Sequence, residues 1–190
     1  FATLGTLPVT YAGKATVEAD HDQPGGCYAF SKAVMASRTQ PTALLGNDLG
    51  YIVNQSRLSG FRKACQELVI PLDQTPIRMG INDLEGCREA VEDLLAQGIR
   101  RFVCMDEDVC VRTMTVLKDN GLTIPGDAQV ASFSDTVQMK TAVPPVSALY
   151  FDAAELGRAC CREFIHALND ESYDPKPLLG YKIRLRHSMI

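Results

Sequence analysis

The stretch RFVCMDEDVCVRTMTVLKDNGLTIPGDAQVASFSD, from Arg101 to Asp135, decides the fold. It opens on an apolar run, RFVCM, and passes into EDVCVRTMTVLKDNG, where apolar residues recur at helical spacing. Gly121 ends that helix, IPGD supplies turn residues, and a second apolar run, QVASFS, follows. Strand, helix and strand in this length make one βαβ unit. Four acids, Asp106, Glu107, Asp108 and Asp135, gather where the apolar runs end. An open α/β sheet presents its ligand site at the carboxyl ends of parallel strands, so acids placed there raise the question of what is bound.

The same rhythm extends upstream. TALLG, at residues 42–46, reads as a buried strand, and NQSRLSGFRKACQELVI as a helix with Leu58, Phe61, Ala64, Cys65 and Leu68 on one stripe. TPIRMG reads as the next strand. LEGCREAVEDLLAQG is then a helix with Cys87, Ala90, Val91, Leu94 and Leu95 inward and Gly98 ending it. The strands begin near residues 42, 76, 101 and 128, a spacing close to the roughly 30 residues of a βαβ unit. The expectation is an α/β fold: a parallel sheet with right-handed crossovers and helices on both faces.

The flanks break this rhythm. FATLGTLPV and KATVEAD read as strands with no helix between them, and PGGCYAFSKAVMAS as a helix beginning near Pro24. After VPPVSALYF come a helix, DAAELGRACCREFIHALND, a loop, and a final strand, LLGYKIRLR. The ends read as pieces of a second lobe, with the chain passing between lobes more than once.

Composition narrows the function. With 190 residues, 46% of them hydrophobic and 22% charged, the chain can bury a core, and its net charge of −4 with scattered Lys and Arg leaves no electrostatic footprint for nucleic acid in these residues. No apolar run reaches the roughly 20 residues of a membrane span. The seven cysteines, at 27, 65, 87, 104, 110, 160 and 161, are odd in number and follow no C-x-x-C spacing, which points to packed thiols in a reducing, cytoplasmic compartment. No nucleophile elbow, phosphate loop or histidine ligand pair is legible, so neither an enzyme nor a metal or other cofactor is expected. DHD at 20–22 lacks a metal-ligand partner, and PGGC reads as a helix start with a close backbone approach rather than a phosphate cradle. Two residues keep two readings each: Arg57 is a ligand-binding fork or a solvated helix arginine, and Asp106 is a ligand acceptor, a helix N-cap, or both.

Six segments in order then resemble the effector-binding domain of the LacI/GalR family of bacterial transcriptional regulators. DHDQPGGCYAFSKAV is similar to the family's D-N-x-x-x-G-G-x-x-A, and SRLSGFRKACQE to its R-x-x-G-F helix. GINDLEGCREAVEDLL resembles the segment after the second strand. The opening stretch resembles A-x-N-D-x-x-A-x-G running into I-P-x-D-v-x-V-x-G-y-D-D, VPPVSALYFDAAELGRAC resembles P-P-L-T-T-V with its L-G-x-x-A helix, and IRLRHS the closing L-x-x-R-x-S.

The resemblance implies a periplasmic-binding-protein-like fold of type I, two Rossmann-like lobes with parallel sheets around an interlobe cleft. It assigns residues 1–20 and 147–172 to a partial N-terminal lobe and 21–146 and 173–190 to a nearly complete C-terminal lobe, with the DNA-binding headpiece outside these residues. It implies a small-molecule effector such as a sugar, operator DNA contacted through that headpiece, and a homodimer, with no membrane. Carried over by position, Arg57 matches the effector-binding arginine. Asp106 stands where the family has Asn and Ser134 where it has Asp; Ile81 falls on a cleft wall, Phe151 on the N-terminal-lobe side, and Gly5 where a polar residue is frequent. On this reading the acids line the cleft rim, and Val109, Val111 and Met114 contribute to a dimer surface. A periplasmic sugar-binding protein of a transport system shares the fold and is the alternative; the odd cysteine count argues against it.

Overall fold

In a computed structural model, residues 1–7, 13–36, 40–71 and 75–189 are described. They form two sheets. The larger runs β4 (Ile77–Arg78), β3 (Thr42–Leu45), β5 (Arg101–Cys104), β6 (Gln129–Ser132), β7 (Ser147–Tyr150) and β9 (Lys182–Arg184). All its neighbours are parallel except β7 and β9. The smaller sheet is parallel, in the order β1 (Ala2–Leu4), β2 (Val17–His21), β8 (Leu178–Leu179).

Alternation along the strands builds two cores. Ala43, Leu45, Phe102, Cys104 and Val130 face α3 (Leu84–Ala96) and α4 (Glu107–Asp119), while Leu44, Val103, Ala131 and Leu149 face α1 (Gln23–Met35) and α2 (Ile52–Glu67). Each strand is therefore apolar on both sides, which is why it reads as an uninterrupted run. The helix stripes expected from periodicity pack as expected: Leu58, Phe61, Ala64 and Cys65 on one face of the sheet, Cys87, Val91 and Leu94 on the other. Gly98 and Gly121, at φ +81° and +72°, take the left-handed conformation that ends α3 and α4.

Two glycines leave room around α1, Gly60 for the approach of α2 and Gly26 for that of Phe151 and Tyr181. A Cβ on Gly60 would stand 2.9 Å from both Cys27 Cβ and the Tyr28 backbone nitrogen, and one on Gly26 would stand 3.1 Å from the rings of Phe151 and Tyr181. The glycines of PGGC and of R-x-x-G-F thus serve packing, as the close-approach reading had it.

The lobe boundaries need correction. Ser147–Tyr150, expected in the N-terminal lobe, pairs with β6 in the larger sheet, where Ser147 N–H donates to Ser188 Oγ at 2.8 Å and Ser188 Oγ donates to the Val130 carbonyl at 2.6 Å. The expected single strand LLGYKIRLR divides at Gly180: Leu178–Leu179 pairs with β2 in the small sheet and Lys182–Arg184 with β7 in the large one. α6 (Ala153–Leu168) packs on the small sheet, where Leu156 and Cys160 meet Val17 and Ala19. The chain crosses between lobes three times, at 21–23, 151–152 and 180–181. A short helix unforeseen in the sequence, α5 (Val137–Thr141), is capped by Thr136 and buries Met139. Residues 8–9 of the expected first strand lie outside the described residues.

Candidate functional site

In the larger sheet the order reverses at β3: the chain moves outward to β4, then returns to the other side of β3 as β5. This switch point leaves a crevice at the strand ends. α2 begins after β3, and Arg57, one turn inside it, reaches over the crevice to donate Nη1 to the Met105 carbonyl at the end of β5. Its Nε donates to Gln23 Oε1 at 3.2 Å, on the first crossing between lobes. Burial lowers the pKa of the guanidinium, and nearby Cys27 and Asp106 oppose that shift; an arginine so placed stays charged.

A cleft of about 550 Å³ opens beside this fork. Leu4, Gly5, Thr6 and Asp20 form its small-lobe wall, His21 and Gln23 lie on the crossing, and Gly50, Tyr51, Ile52 and Val53 form the large-lobe wall. Its volume lies within the range of small-molecule sites, which combine apolar walls with a few placed polar groups. Asp20 is fixed by Thr6 Oγ1, 2.8 Å, and by the His21 N–H, 2.8 Å. Gly5, at φ +86°, closes its turn by donating its N–H to the Ala19 carbonyl at 2.9 Å. Tyr51 is 61% exposed, so its ring has surface to offer a ligand.

A family model of the periplasmic binding protein-like domain matches residues 38–189. The chain belongs to that family. Among its relatives is the ribose operon repressor of Haemophilus influenzae, 24% identical over 156 residues, covering 81% of this chain and 47% of that protein. The chain thus spans about half the length of the curated relatives it matches. The transcription regulator CcpA of Lactococcus lactis superposes at TM-score 0.83, with 20% identity, over 100% of this chain and 69% of that one. A LacI family transcriptional regulator from Enterococcus faecium with bound ribose superposes at 0.80, with 16% identity, over 91% of this chain and 65% of that one. The matches fix the fold as periplasmic binding protein-like, with transcriptional regulators among the proteins this chain resembles.

Within this periplasmic binding protein-like domain, the residues singled out in the sequence scatter. Gly5 lines the cleft; Arg57 is not in its lining and meets it only through Gln23, whose Oε1 accepts from the Arg57 Nε. Asp106 caps α4, its Oδ1 accepting from Val109 N–H at 2.9 Å, while Glu107 and Asp108 occupy the first turn, where the helix dipole favours acids. Ser134 follows β6 and donates its N–H to Ser132 Oγ at 3.1 Å. Phe151 lies on the second crossing, its ring 5.1 Å from that of His21. Ile81 is not a cleft wall: it is 3% exposed and packs in the core beneath α3 and α4, because its N–H bonds to the Gly46 carbonyl and turns it inward.

The acidic rim also needs correction. Asp135 faces no cleft; its side chain, 1% exposed, is held by both Nη atoms of Arg186 at 2.9 and 2.8 Å. Val109 and Met114 likewise belong to the lobe's own core, on the α4 face that also carries Cys110, Thr113 and Leu117; of the three residues expected at a dimer surface only Val111 is exposed. Sequence reasoning missed Thr6, Asp20, His21, Gln23 and the 50–53 segment. The signal was available: Asp20 and His21 end β2, and the others follow a strand's carboxyl end, where the same rule that drew attention to Asp106 applies.

Proposed function

We propose that this chain is the effector-sensing part of a LacI/GalR-type DNA-binding regulator, a repressor, which takes a sugar or related small metabolite between its lobes. The observation that carries the reading is the cleft itself: a ligand-sized space walled by both lobes, in which the lining residue Gln23 is held by the half-buried Arg57. A ligand touching both walls favours one lobe arrangement, and that difference in affinity is the only means by which it can bias a two-state equilibrium. A carboxylate only accepts hydrogen bonds, so Asp20 in the cleft wall favours ligands that carry hydroxyl or amine donors. Operator contact falls to a headpiece outside these residues, and a cytoplasmic homodimer completes the proposal. No helix among the described residues is long and apolar enough to cross a membrane.

The test is a thermal-shift panel of D-ribose, cellobiose, sugar phosphates, nucleosides and purines, repeated on Arg57→Ala. A panel member at a hundredfold excess over its Kd stabilises by about 2.7 kcal/mol. A shift lost in Arg57→Ala supports the reading. No shift across the panel, or one that Arg57→Ala leaves intact, overturns it.

A further inference from the structure

The helix that carries the large-lobe wall of the cleft is tied to its incoming chain differently from its neighbours. In α1, α3, α4, α5 and α6 the N-cap side chain, Asp22, Asp83, Asp106, Thr136 or Asp152, accepts from a first-turn N–H. α2 begins at Tyr51, which makes no side-chain cap bond and stays 61% exposed. Its tie comes from inside the helix. Asn54, three residues on and 3% exposed, donates Nδ2 to the Asp48 carbonyl at 2.8 Å and to Asn47 Oδ1 at 2.6 Å.

The rest of the 47–51 segment is held alongside. The Asn54 backbone N–H donates to the Tyr51 carbonyl at 2.9 Å, Gln55 Nε2 to the Leu49 carbonyl at 2.9 Å, and the Gly80 N–H to the Asn47 carbonyl at 3.0 Å. The carbonyls of residues 47, 48, 49 and 51 are thus all engaged. These bonds are not equivalent. Gln55 is exposed, so water can take its place without moving the backbone. The Asn54 amide is buried, and water can replace it only if the segment draws away from α2. The side chain must also be an amide: Nδ2 carries two N–H groups and spends one on each acceptor, whereas a carboxylate of the same shape has none to give.

We infer that Asn54 is the positioning residue of the large-lobe wall: it fastens segment 47–51 to α2 and thereby sets where the side chain of residue 51 meets a ligand. The inference rests on the proposed sensing function for its purpose. Asn54 does not line the cleft, while Gly50, Tyr51, Ile52 and Val53 do. The fastening uses only the backbone of residue 51, which leaves the ring to the ligand. Position 54 therefore fixes the geometry of the wall, and position 51 sets which ligands it prefers.

The test uses the isotope-labelled full-length protein carrying Asn54→Asp, which keeps the side-chain shape and removes both donors. Asn54→Ala covers the case in which a buried carboxylate prevents folding. Without ligand, backbone order parameters at Asp48, Leu49 and Gly50 should lie near the rigid value of about 0.85 in the wild type and fall toward about 0.6 in the variants, with the rest of α2 unchanged. A side chain that contributes to stability alone would lower Tm and leave these amides rigid. Tyr51→Ala should leave them rigid too. In the thermal-shift panel above, Asn54→Asp should weaken every ligand about tenfold or more, the cost of one lost hydrogen bond, and Tyr51→Ala should reorder them. A wild type that binds no panel member would sink the sensing reading and leave the order parameters to decide this one. Amides at 48–50 that stay rigid in both Asn54 variants, that loosen equally in Tyr51→Ala, or panel affinities that survive Asn54→Asp unchanged would overturn it.

Discussion

Removing the Asp135 carboxylate should destabilise this domain more than any other single charge change made at the strand ends. Asp135 follows β6, Arg186 follows β9, and the two side chains, 1% and 18% exposed, meet in a two-pronged pair at 2.9 and 2.8 Å. Arg186 Nη1 also donates to the Val146 carbonyl at 2.6 Å, so the pair ties together the loops flanking β6, β7 and β9. In Asp135→Ala the guanidinium keeps that carbonyl but loses its charge partner. Breaking a buried pair on one side costs roughly 3–5 kcal/mol, whereas replacing both partners by apolar groups of similar volume is often close to neutral. In a domain of 150–250 residues each kcal/mol moves Tm by about 2–4 °C, so Asp135→Ala should lose about 6–20 °C. Urea unfolding should show a lower midpoint at unchanged slope. Asp135→Ala with Arg186→Met should recover most of the loss. A single-variant cost below about 1 kcal/mol, the level of an exposed pair, would refute the reasoning and return Asp135 to the candidates for ligand binding.

Three further outcomes are expected. Gly60→Ala should cost about 1–3 kcal/mol in urea unfolding, the penalty for overpacking, because the added methyl meets Cys27 and the Tyr28 backbone where α1 crosses α2; a neutral result would mean that the helices part freely. In the folded chain a thiol reagent should react quickly with Cys161 alone, since the other six cysteines are buried and burial pushes the Cys27 thiol up to about 12 and the Cys87 thiol to about 11; a second fast thiol would contradict the packing. Stability should hold from neutral pH to about 5 and fall below about 4. Asp93, Asp127, Asp152 and Glu163 are held below their ordinary values, by Arg78, the Thr123 side chain, the Glu155 N–H and the Asp174 N–H respectively, so each stabilises the fold while ionised and loses that contribution as pH falls through its folded value. A Tm that rises on acidification below pH 4 would reverse this sign.

What the sequence disclosed, and what it hid, follows from the range of the interactions involved. The larger lobe was legible because its central strands β3, β5 and β6 are buried on both faces and each helix packed on them buries one, so local periodicity and the turn glycines Gly98 and Gly121 mark the boundaries. The membership of β7, β8 and β9 was not legible, because an apolar run reads alike in either sheet and Gly180 gives no local sign that the chain changes lobes there. Asp135 and Ile81 misled for the same reason. One is claimed by Arg186, 51 residues away, and the other is turned inward by the Gly46 carbonyl; neither partner can be read from neighbouring residues.

The departures from the family pattern gain meaning from these partners. Asp135, which the pattern shares, is occupied by Arg186, so its presence says little about the ligand; Ser134, which lacks the patterned carboxylate, leaves the end of β6 without a free acid. Asp106 spends one oxygen on capping α4 and retains the other. Arg57 has already placed Nη1 and Nε on Met105 and Gln23, leaving the remaining guanidinium N–H groups as the donors it can offer without releasing a partner. The cleft itself presents Leu4, Tyr51, Ile52 and Val53 beside Asp20, His21 and Gln23. Such a surface favours a ligand with an apolar or ring face toward Tyr51 and a small number of hydroxyl or amine donors toward the strand ends. It disfavours a densely charged ligand, for which one half-buried fork, already shared, is poor compensation for lost hydration. Within the panel, neutral sugars and nucleosides should therefore outrank sugar phosphates, and the reverse order would mean that Arg57 gives up Gln23 or Met105 when the cleft fills.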